Sequence, residues 1–178
     1  MSRYMSRHWL LLPILLLPLI LLSCGGKAVE EETEGDVLDT EAIQMVMPQN
    51  GKAVHPKYGT EQWFAYGAMA GEAGTPANGV AQAYRFDSDM FVLTVQLNIA
   101  PAEDGVFYEA WLTDDSGEDM VSAGHLTNYF GDARHQVLFE SERDLRDHLA
   151  VVVTQEMDDG DPTPAQVVAR GQLKPTRR

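Results

Sequence analysis

The clearest periodic pattern in the chain runs from Phe91 to Ile99, where apolar residues occupy every second position. Thr94, Gln96 and Asn98 stand between them. A period of two places alternate side chains on opposite faces of a β-strand. The pattern therefore predicts a strand whose apolar face lines a core.

Shorter apolar segments occur before and after this strand at regular intervals. They are Val80 to Phe86, Val106 to Thr113, Met120 to Leu126, His135 to Phe139, Leu149 to Gln155 and Val167 to Leu173. Turn-forming runs separate them, such as Asp114-Asp115-Ser116-Gly117, and such runs are typical of β-turns. Seven short strands with this punctuation predict an all-β fold, an antiparallel β-sandwich of the immunoglobulin-like type.

Two segments of this region have a different character. The continuous apolar run from Leu149 to Val153 is typical of a central strand that is buried on both faces. Ser141 to His148 is the one segment with helical character, and it is too short to change the fold class. We expect the folded domain to span residues 58–174, followed by a short tail over residues 175–178.

A separate apolar segment lies near the N-terminus, from Trp9 to Leu22. It is about 14 residues long, shorter than the ~20 residues that a membrane-spanning helix needs. Two prolines interrupt it and two arginines precede it. This layout predicts a signal peptide over residues 1–23.

The residues Leu21-Leu22-Ser23-Cys24 resemble the lipobox of bacterial lipoproteins. The resemblance implies that the Cys24 sulfur receives a diacylglycerol, that the chain is cut before Cys24 and that the new amino terminus is acylated. Because two or more acyl chains give a firm anchor, we expect a cell-membrane protein held on the extracytoplasmic face. The alternatives are an ordinary secretory signal with an incidental cysteine and an uncleaved anchor.

The segment between the signal peptide and the domain, residues 24–57, begins with a strongly acidic stretch. Four of the five residues from Glu30 to Glu34 are glutamates. Low hydrophobicity and clustered like charge leave too little apolar surface to offset the entropy of ordering. We expect a disordered, acidic tether, and an acidic tail that binds a partner is the alternative.

The charge balance limits the partners of the mature chain. The leader holds two of the 13 basic residues and no acidic residue, which leaves 11 basic and 27 acidic residues, a formal charge of −16. Such a field repels nucleic acid and anionic lipid head groups. We therefore expect no nucleic-acid partner and a domain that stands off the bilayer. Cys24 is the one cysteine, so no further thiol is left for a disulfide or a thiolate site.

Several short segments in the second half of the chain resemble the extracytoplasmic domain of the anti-sigma-K factor family. They are Tyr108-Glu109-Ala110-Trp111-Leu112, Ser122-Ala123-Gly124-His125-Leu126, Leu149 to Glu156 with Asp159 to Pro164, and Val168 to Leu173. The resemblance implies the fold of an outer domain more than an activity. Family members that hold a sigma factor carry a cytoplasmic helical domain and a membrane span ahead of it. Neither fits between Cys24 and the domain, so we do not expect direct inhibition of a sigma factor.

Each of these segments also has a simple structural interpretation. Trp111 is expected to be a buried anchor between two sheets, with its indole N–H bonded to one acceptor. Gly124 inside a strand indicates a bulge or a close backbone approach. The run from Asp158 to Pro162 is typical of a turn.

The sequence offers little support for catalysis. Ser116, Ser122 and Ser141 lie in no Gly-x-Ser-x-Gly motif, and no Ser-x-x-Lys pair occurs. The histidines of the mature chain are scattered singly rather than paired as in His-Glu-x-x-His. We therefore predict no catalytic residues and no enzymatic activity.

Metal binding is the main alternative class. Copper is favoured by His and Met ligands, and the mature chain offers His55, His125, His135 and His148 with Met45, Met47, Met69, Met90, Met120 and Met157. Calcium takes carboxylate oxygens, and two runs offer them: Asp114, Asp115, Glu118 and Asp119, and Asp158, Asp159 and Asp161. Neither run follows the EF-hand order, and both are interpreted first as solvated turns.

Together these patterns favour a membrane-anchored lipoprotein whose domain acts as a non-catalytic binding, sensing or scaffolding module without a cofactor. Its protein partner is not identified by the sequence. A metal-binding surface lipoprotein is the alternative, and a hydrolase is third.

Overall fold

The computed structural model describes residues 51–72, 74–160 and 163–177 of the 178-residue chain. These residues form strands, turns and bends, and no helix occurs among them. Consequently, no helix in the described ranges is long and apolar enough to cross a membrane. The predicted signal peptide and Cys24 lie outside these ranges, as does most of the tether.

The structure contains ten strands in the described residues. They are β1 (Val54–His55), β2 (Gly59–Gly71), β3 (Asn78–Phe86), β4 (Phe91–Asn98), β5 (Val106–Thr113), β6 (Met120–His125), β7 (Arg134–Ser141), β8 (Ala150–Met157), β9 (Gln166–Gln172) and β10 (Lys174–Thr176). The seven predicted strands correspond to β3 to β9 and are confirmed within two residues at every end. Strand pairing also reaches β1 and β10, which extend beyond the ends of the 58–174 range.

All strand pairs are antiparallel, and they form one continuous sheet with the order β6-β5-β8-β9-β2-β3-β4-β7. The two ends of the sheet approach each other, because Thr127, just after β6, bridges to Gln136 in β7. The sheet is therefore nearly closed as a barrel. The predicted all-β, antiparallel class is confirmed, whereas the specific immunoglobulin-like sandwich is not.

The length of β2 explains why the sheet is continuous. At its C-terminal end, β2 pairs with β9 and thereby joins the β6-β5-β8-β9 strands to the β3-β4-β7 strands. Gly67 in β2 makes the approach possible, because a Cβ there would lie 2.7 Å from the Gln172 carbonyl carbon. In a sandwich of two separate sheets, the pairing of β2 with β9 would be absent.

The main core lies on the inner face of the sheet. Phe91, Leu93, Val95 and Leu97 of β4 are all at most 1% exposed and belong to this core. Thr94, Gln96 and Asn98 are on the other face and are half-buried or exposed. The alternation predicted for this strand is confirmed.

A second apolar cluster covers the outer face of β2, β3 and β4. It consists of Ala53, Tyr58, Phe64, Tyr84, Phe86 and Val92, with Met90 packed against it. The segment before β2 is held there by Glu61, whose carboxylate accepts the Ala53 N–H at 2.9 Å while its own N–H donates to the Ala53 carbonyl at 2.8 Å. At this end, strands β2, β3 and β4 are therefore covered by apolar side chains on both faces.

The helix expected over Ser141 to His148 is wrong, because Ser141 ends β7 and residues 142–148 form bends and turns. Local side-chain hydrogen bonds compete with a helix there: Ser141 accepts the Arg143 N–H, and Asp144 accepts the Arg146 N–H. The Arg146 guanidinium also bonds Asp144 and holds the pKa of that carboxyl at about 2. The turns bury Leu145 completely in the main core.

Candidate functional site

A groove lies on the outer face of the sheet. It has a volume of about 290 Å³ and lies where the loop between β6 and β7 meets β3, β4 and β7. We call it the aromatic groove. It is lined by Gly79, Val80, Gln96, Leu97, Asn98, Tyr129, Phe130, Arg134, His135 and Gln136.

Two aromatic side chains form the rim of the aromatic groove. Tyr129 is 48% exposed and Phe130 is 59% exposed. Exposed rings of this size on a loop are typical of surfaces that contact another molecule. The Arg134 guanidinium lies over the Phe130 ring, 4.1 Å from its centroid, and this cation–π contact helps to hold the ring in place.

The loop that carries these rings is tightly hydrogen-bonded. Asn128 Oδ1 accepts the Phe130 N–H at 3.3 Å, and its Nδ2 donates to the Asp132 carbonyl at 2.6 Å. Asp132 in turn accepts Arg134 Nε at 2.9 Å and Nη2 at 2.6 Å. The hydrogen bonds from Arg134 lower the pKa of Asp132.

The histidine of the aromatic groove has a structural role. His135 is 5% exposed, and its Nδ1 lies 3.0 Å from the Ala133 carbonyl oxygen, which can only accept. Nδ1 therefore carries the proton, and Nε2 accepts from Asn128 Nδ2 at 3.4 Å. The Tyr108 ring packs edge-on against the imidazole at 5.3 Å. This histidine links the loop to β5 and β7.

The floor of the aromatic groove is uncharged. Val80, Gln96 and Gln136 are adjacent in register on β3, β4 and β7. Beside them, the Asn98 amide donates to the Asn78 amide oxygen at 3.1 Å. Such a floor offers amide hydrogen bonds and apolar contact but no nucleophile paired with a base. The arrangement fits binding of a peptide or side chain.

The sequence analysis did not identify this groove. Tyr129 and Phe130 lie in the run Asn128-Tyr129-Phe130-Gly131-Asp132, between two predicted strands. Two adjacent aromatic residues in a turn-forming run were the available signal. The other half of the groove comes from β3 and β4, and only the strand register brings it to this loop.

Two of the residues considered for copper, Met45 and Met47, lie outside the described ranges. The four histidines are apart: His55 stacks on Tyr58, His125 stacks on Phe107, His135 lines the aromatic groove and His148 lies against Asp119 and Asp147. In the described part of the chain, no group of three or more His, Cys, Asp or Glu residues could hold a metal ion.

In the first candidate calcium run, the Asp114 carboxylate is used within its own turn, whereas the Asp119 carboxylate is not. Asp114 accepts the Ser116 hydroxyl at 2.7 Å and the Gly117 N–H at 2.9 Å, and the bond from Ser116 lowers its pKa. Asp119 points elsewhere and forms an ion pair with Arg143, which lowers its pKa. The structure therefore does not bring these four carboxylates together.

In the second candidate calcium run, Asp158 and Asp159 form a bend after β8, and their backbone N–H groups are hydrogen-bonded. The Asp158 N–H donates to the Gly105 carbonyl at 3.1 Å, and the Asp159 N–H donates to the Met157 carbonyl at 2.9 Å. Asp161 lies outside the described ranges. These contacts agree with the interpretation of this run as a turn.

Comparison with known families gives one result. The family model described as anti-sigma-K factor rskA, C-terminal, matches residues 26–172. No curated protein and no solved structure matches the chain. The matched range includes the whole of strands β1 to β9 and therefore the complete aromatic groove.

Proposed function

The chain belongs to the family of the anti-sigma-K factor C-terminal domain, and from this premise we propose that it is a lipoprotein that binds a partner protein at a membrane surface. The family is regulatory rather than enzymatic, so the domain is a non-catalytic regulatory module. In the proposal, Cys24 carries the lipid, and the domain lies on the extracytoplasmic face, connected through the acidic segment that follows Cys24.

The observation that carries the binding role is the pair of exposed rings on the aromatic groove. The hydrogen bonds of Asn128 and the contact of Arg134 with Phe130 fix the loop that carries these rings. Tyr129 and Phe130 are nevertheless exposed. A fixed loop loses little entropy on binding. Aromatic residues and arginine are also the types enriched where binding energy concentrates at protein interfaces.

The support for anchoring is the position of Cys24 at the end of an apolar leader, as the one cysteine of the chain. Two acyl chains at that position suffice for stable membrane attachment. The family also includes membrane-associated regulators, which agrees with a membrane location.

The anchoring proposal predicts the effect of Cys24→Ser. This variant is expected to leave the membrane fraction or to remain as an unprocessed precursor, because serine cannot form the thioether to a diacylglycerol. Cell fractionation followed by intact-mass spectrometry measures both outcomes. Ser23→Ala, which keeps a small residue before the cysteine, serves as the control and should remain anchored. An intact, unmodified Cys24 in the membrane fraction of the wild-type protein would refute the proposal.

The binding proposal predicts site-specific cross-linking from the aromatic groove. A photo-cross-linking p-benzoylphenylalanine that replaces Phe130 is expected to give one discrete adduct in cells, and Tyr129→Ser should weaken it several-fold. Met157 is the matched control position, because it is also apolar and exposed, at 67%, but lies outside the groove. Equal adducts from positions 130 and 157, or none from position 130, would count against the groove as the binding site.

A further inference from the structure

The basic residues of the domain divide into two groups. Among the described residues, 19 acidic side chains stand against nine basic ones. Six of the nine form ion pairs: Lys57, Arg85, Arg134, Arg143, Arg146 and Arg170. The other three, Lys52, Lys174 and Arg177, form no ion pair with any described residue. In a domain with twice as many acidic as basic groups, three cations that form no ion pair with a described residue are unexpected.

These three cations lie along the same edge of β2. Lys52 is two residues before Val54, which pairs with Thr60. Lys174 pairs with Tyr66, and Arg177 follows the residue that pairs with Phe64. The register thus places all three beside β2 within about four residues, or ~13 Å of strand.

Two exposed apolar side chains flank this edge, one on each face of the sheet. Tyr66, directly opposite Lys174, is 50% exposed, and Val54 in β1 is 38% exposed. We call Lys52, Val54, Tyr66, Lys174 and Arg177 together the basic edge. Pro175 lies within the outermost strand there, and a proline on an edge strand discourages pairing with another strand. The basic edge is therefore poorly suited to strand addition.

We propose that the basic edge rests on the anionic head groups of a membrane. Lysine and arginine near a bilayer surface are attracted to anionic lipid. Tyrosine is enriched at the membrane–water interface, because its ring is apolar and its hydroxyl is polar. The chain also enters the described domain at this edge, at Gly51, and the sequence before it leads back to Cys24.

The net negative charge of the chain does not prevent this orientation. Screening at physiological salt limits an exposed charge to about 8 Å, so a bilayer interacts with the nearest groups rather than with the whole domain. The net charge then acts as an orienting force, because it repels the acidic surfaces and leaves the basic edge as the favoured contact. From net charge alone, we expected the domain to stand off the bilayer. That expectation did not take into account the basic residues that are clustered at the basic edge.

The test uses the chain from Cys24 onward and does not depend on lipidation in the cell. The sole thiol is coupled to a maleimide lipid in nanodiscs whose head groups carry a nitroxide, with either phosphatidylglycerol or phosphatidylcholine as the bulk lipid. Paramagnetic broadening of backbone amide signals then reports which surface faces the lipid. On phosphatidylglycerol we expect the signals of Tyr66, Lys174 and Thr176 to lose at least about half of their intensity, while those of the loop at Phe130 stay sharp.

Charge reversal tests the electrostatic cause. Lys174→Glu with Arg177→Glu is expected to remove the selective broadening, as is 0.5 M NaCl. Lys57→Glu with Arg170→Glu is the matched control, since it changes the charge equally at two exposed residues that have acidic partners, and it should keep the broadening. An unchanged amide spectrum elsewhere shows that both variants are folded.

Three results would overturn the proposal: broadening spread evenly over the surface, broadening equal on phosphatidylcholine, or broadening unaffected by the reversal at Lys174 and Arg177. A fourth would assign the basic edge to a different ligand. If its amides stay sharp on phosphatidylglycerol but shift when poly-glutamate is added to the nanodiscs, the edge binds acidic protein segments and not lipid.

Discussion

Replacing Trp111 by alanine is expected to lower the free energy of unfolding by about 3 to 5 kcal/mol, through lost burial and a cavity. Trp111 is 8% exposed, and its Nε1–H donates to the Thr154 hydroxyl at 2.8 Å between adjacent strands. The predicted burial and the single acceptor are confirmed. Its position differs from the expected one, because Trp111 is not part of the main core to which its neighbours Ala110 and Leu112 belong. Urea denaturation followed by circular dichroism measures the loss.

Two further variants separate the packing of Trp111 from its hydrogen bond. Trp111→Phe keeps an aromatic ring but removes the hydrogen-bond donor to the buried Thr154 hydroxyl. It should lower the free energy of unfolding by less than the alanine variant does. The double variant Trp111→Phe with Thr154→Val removes both partners, and together with the Thr154→Val single variant it completes a double-mutant cycle that isolates the coupling of the pair. A Trp111→Ala protein with an unchanged melting temperature would contradict the assignment of this residue as buried and packed.

Replacing Leu93 by alanine is expected to cost about 2 to 5 kcal/mol. Leu93 is fully buried in the middle of β4, where it pairs with Ala83 and Phe139. The surrounding strands cannot collapse onto the vacated space without breaking these ladders, so a cavity remains.

Leu138→Ala is the matched control for Leu93→Ala. Leu138 lies on the adjacent strand β7 but is 38% exposed on the outer face, and its truncation should change stability by no more than about 0.5 kcal/mol. Chemical denaturation of the two variants compares the faces directly. Equal losses would mean that the inner and outer faces are assigned wrongly, since a one-residue shift in register exchanges them.

The strands that the sequence predicts well are those whose burial follows a local rule. β4 has one fully apolar face, and the run from Val151 to Val153 in β8 is buried on both faces, as its continuous apolar character predicts. β2 does not follow such a rule, because Gly59, Gly67 and several alanines make it resemble a loose segment. Gly67 is needed for the close approach of the backbone at Gln172, which the local pattern does not contain.

The candidate site was less accessible to prediction than the fold. His135 appears in the sequence as one of several scattered histidines, and its role follows only from Asn128 and the Ala133 carbonyl. Likewise, Ser141 to His148 resembles a helix by composition. The burial of Leu145 and the local pairing of Asp144 with Arg146 override that tendency.

The sequence alone determined the class of this protein: antiparallel strands with alternating burial, and a domain with the segments of its family. These properties depend on residues close together in the chain, so a local pattern is sufficient to specify them. Only the tertiary structure decided that β2 joins the strands into one nearly closed sheet, that Tyr129 and Phe130 rim a groove, and that Lys52 lies on the same edge as Lys174. Each of these depends on pairing between distant segments, and strand register rather than local sequence determines which side chains meet.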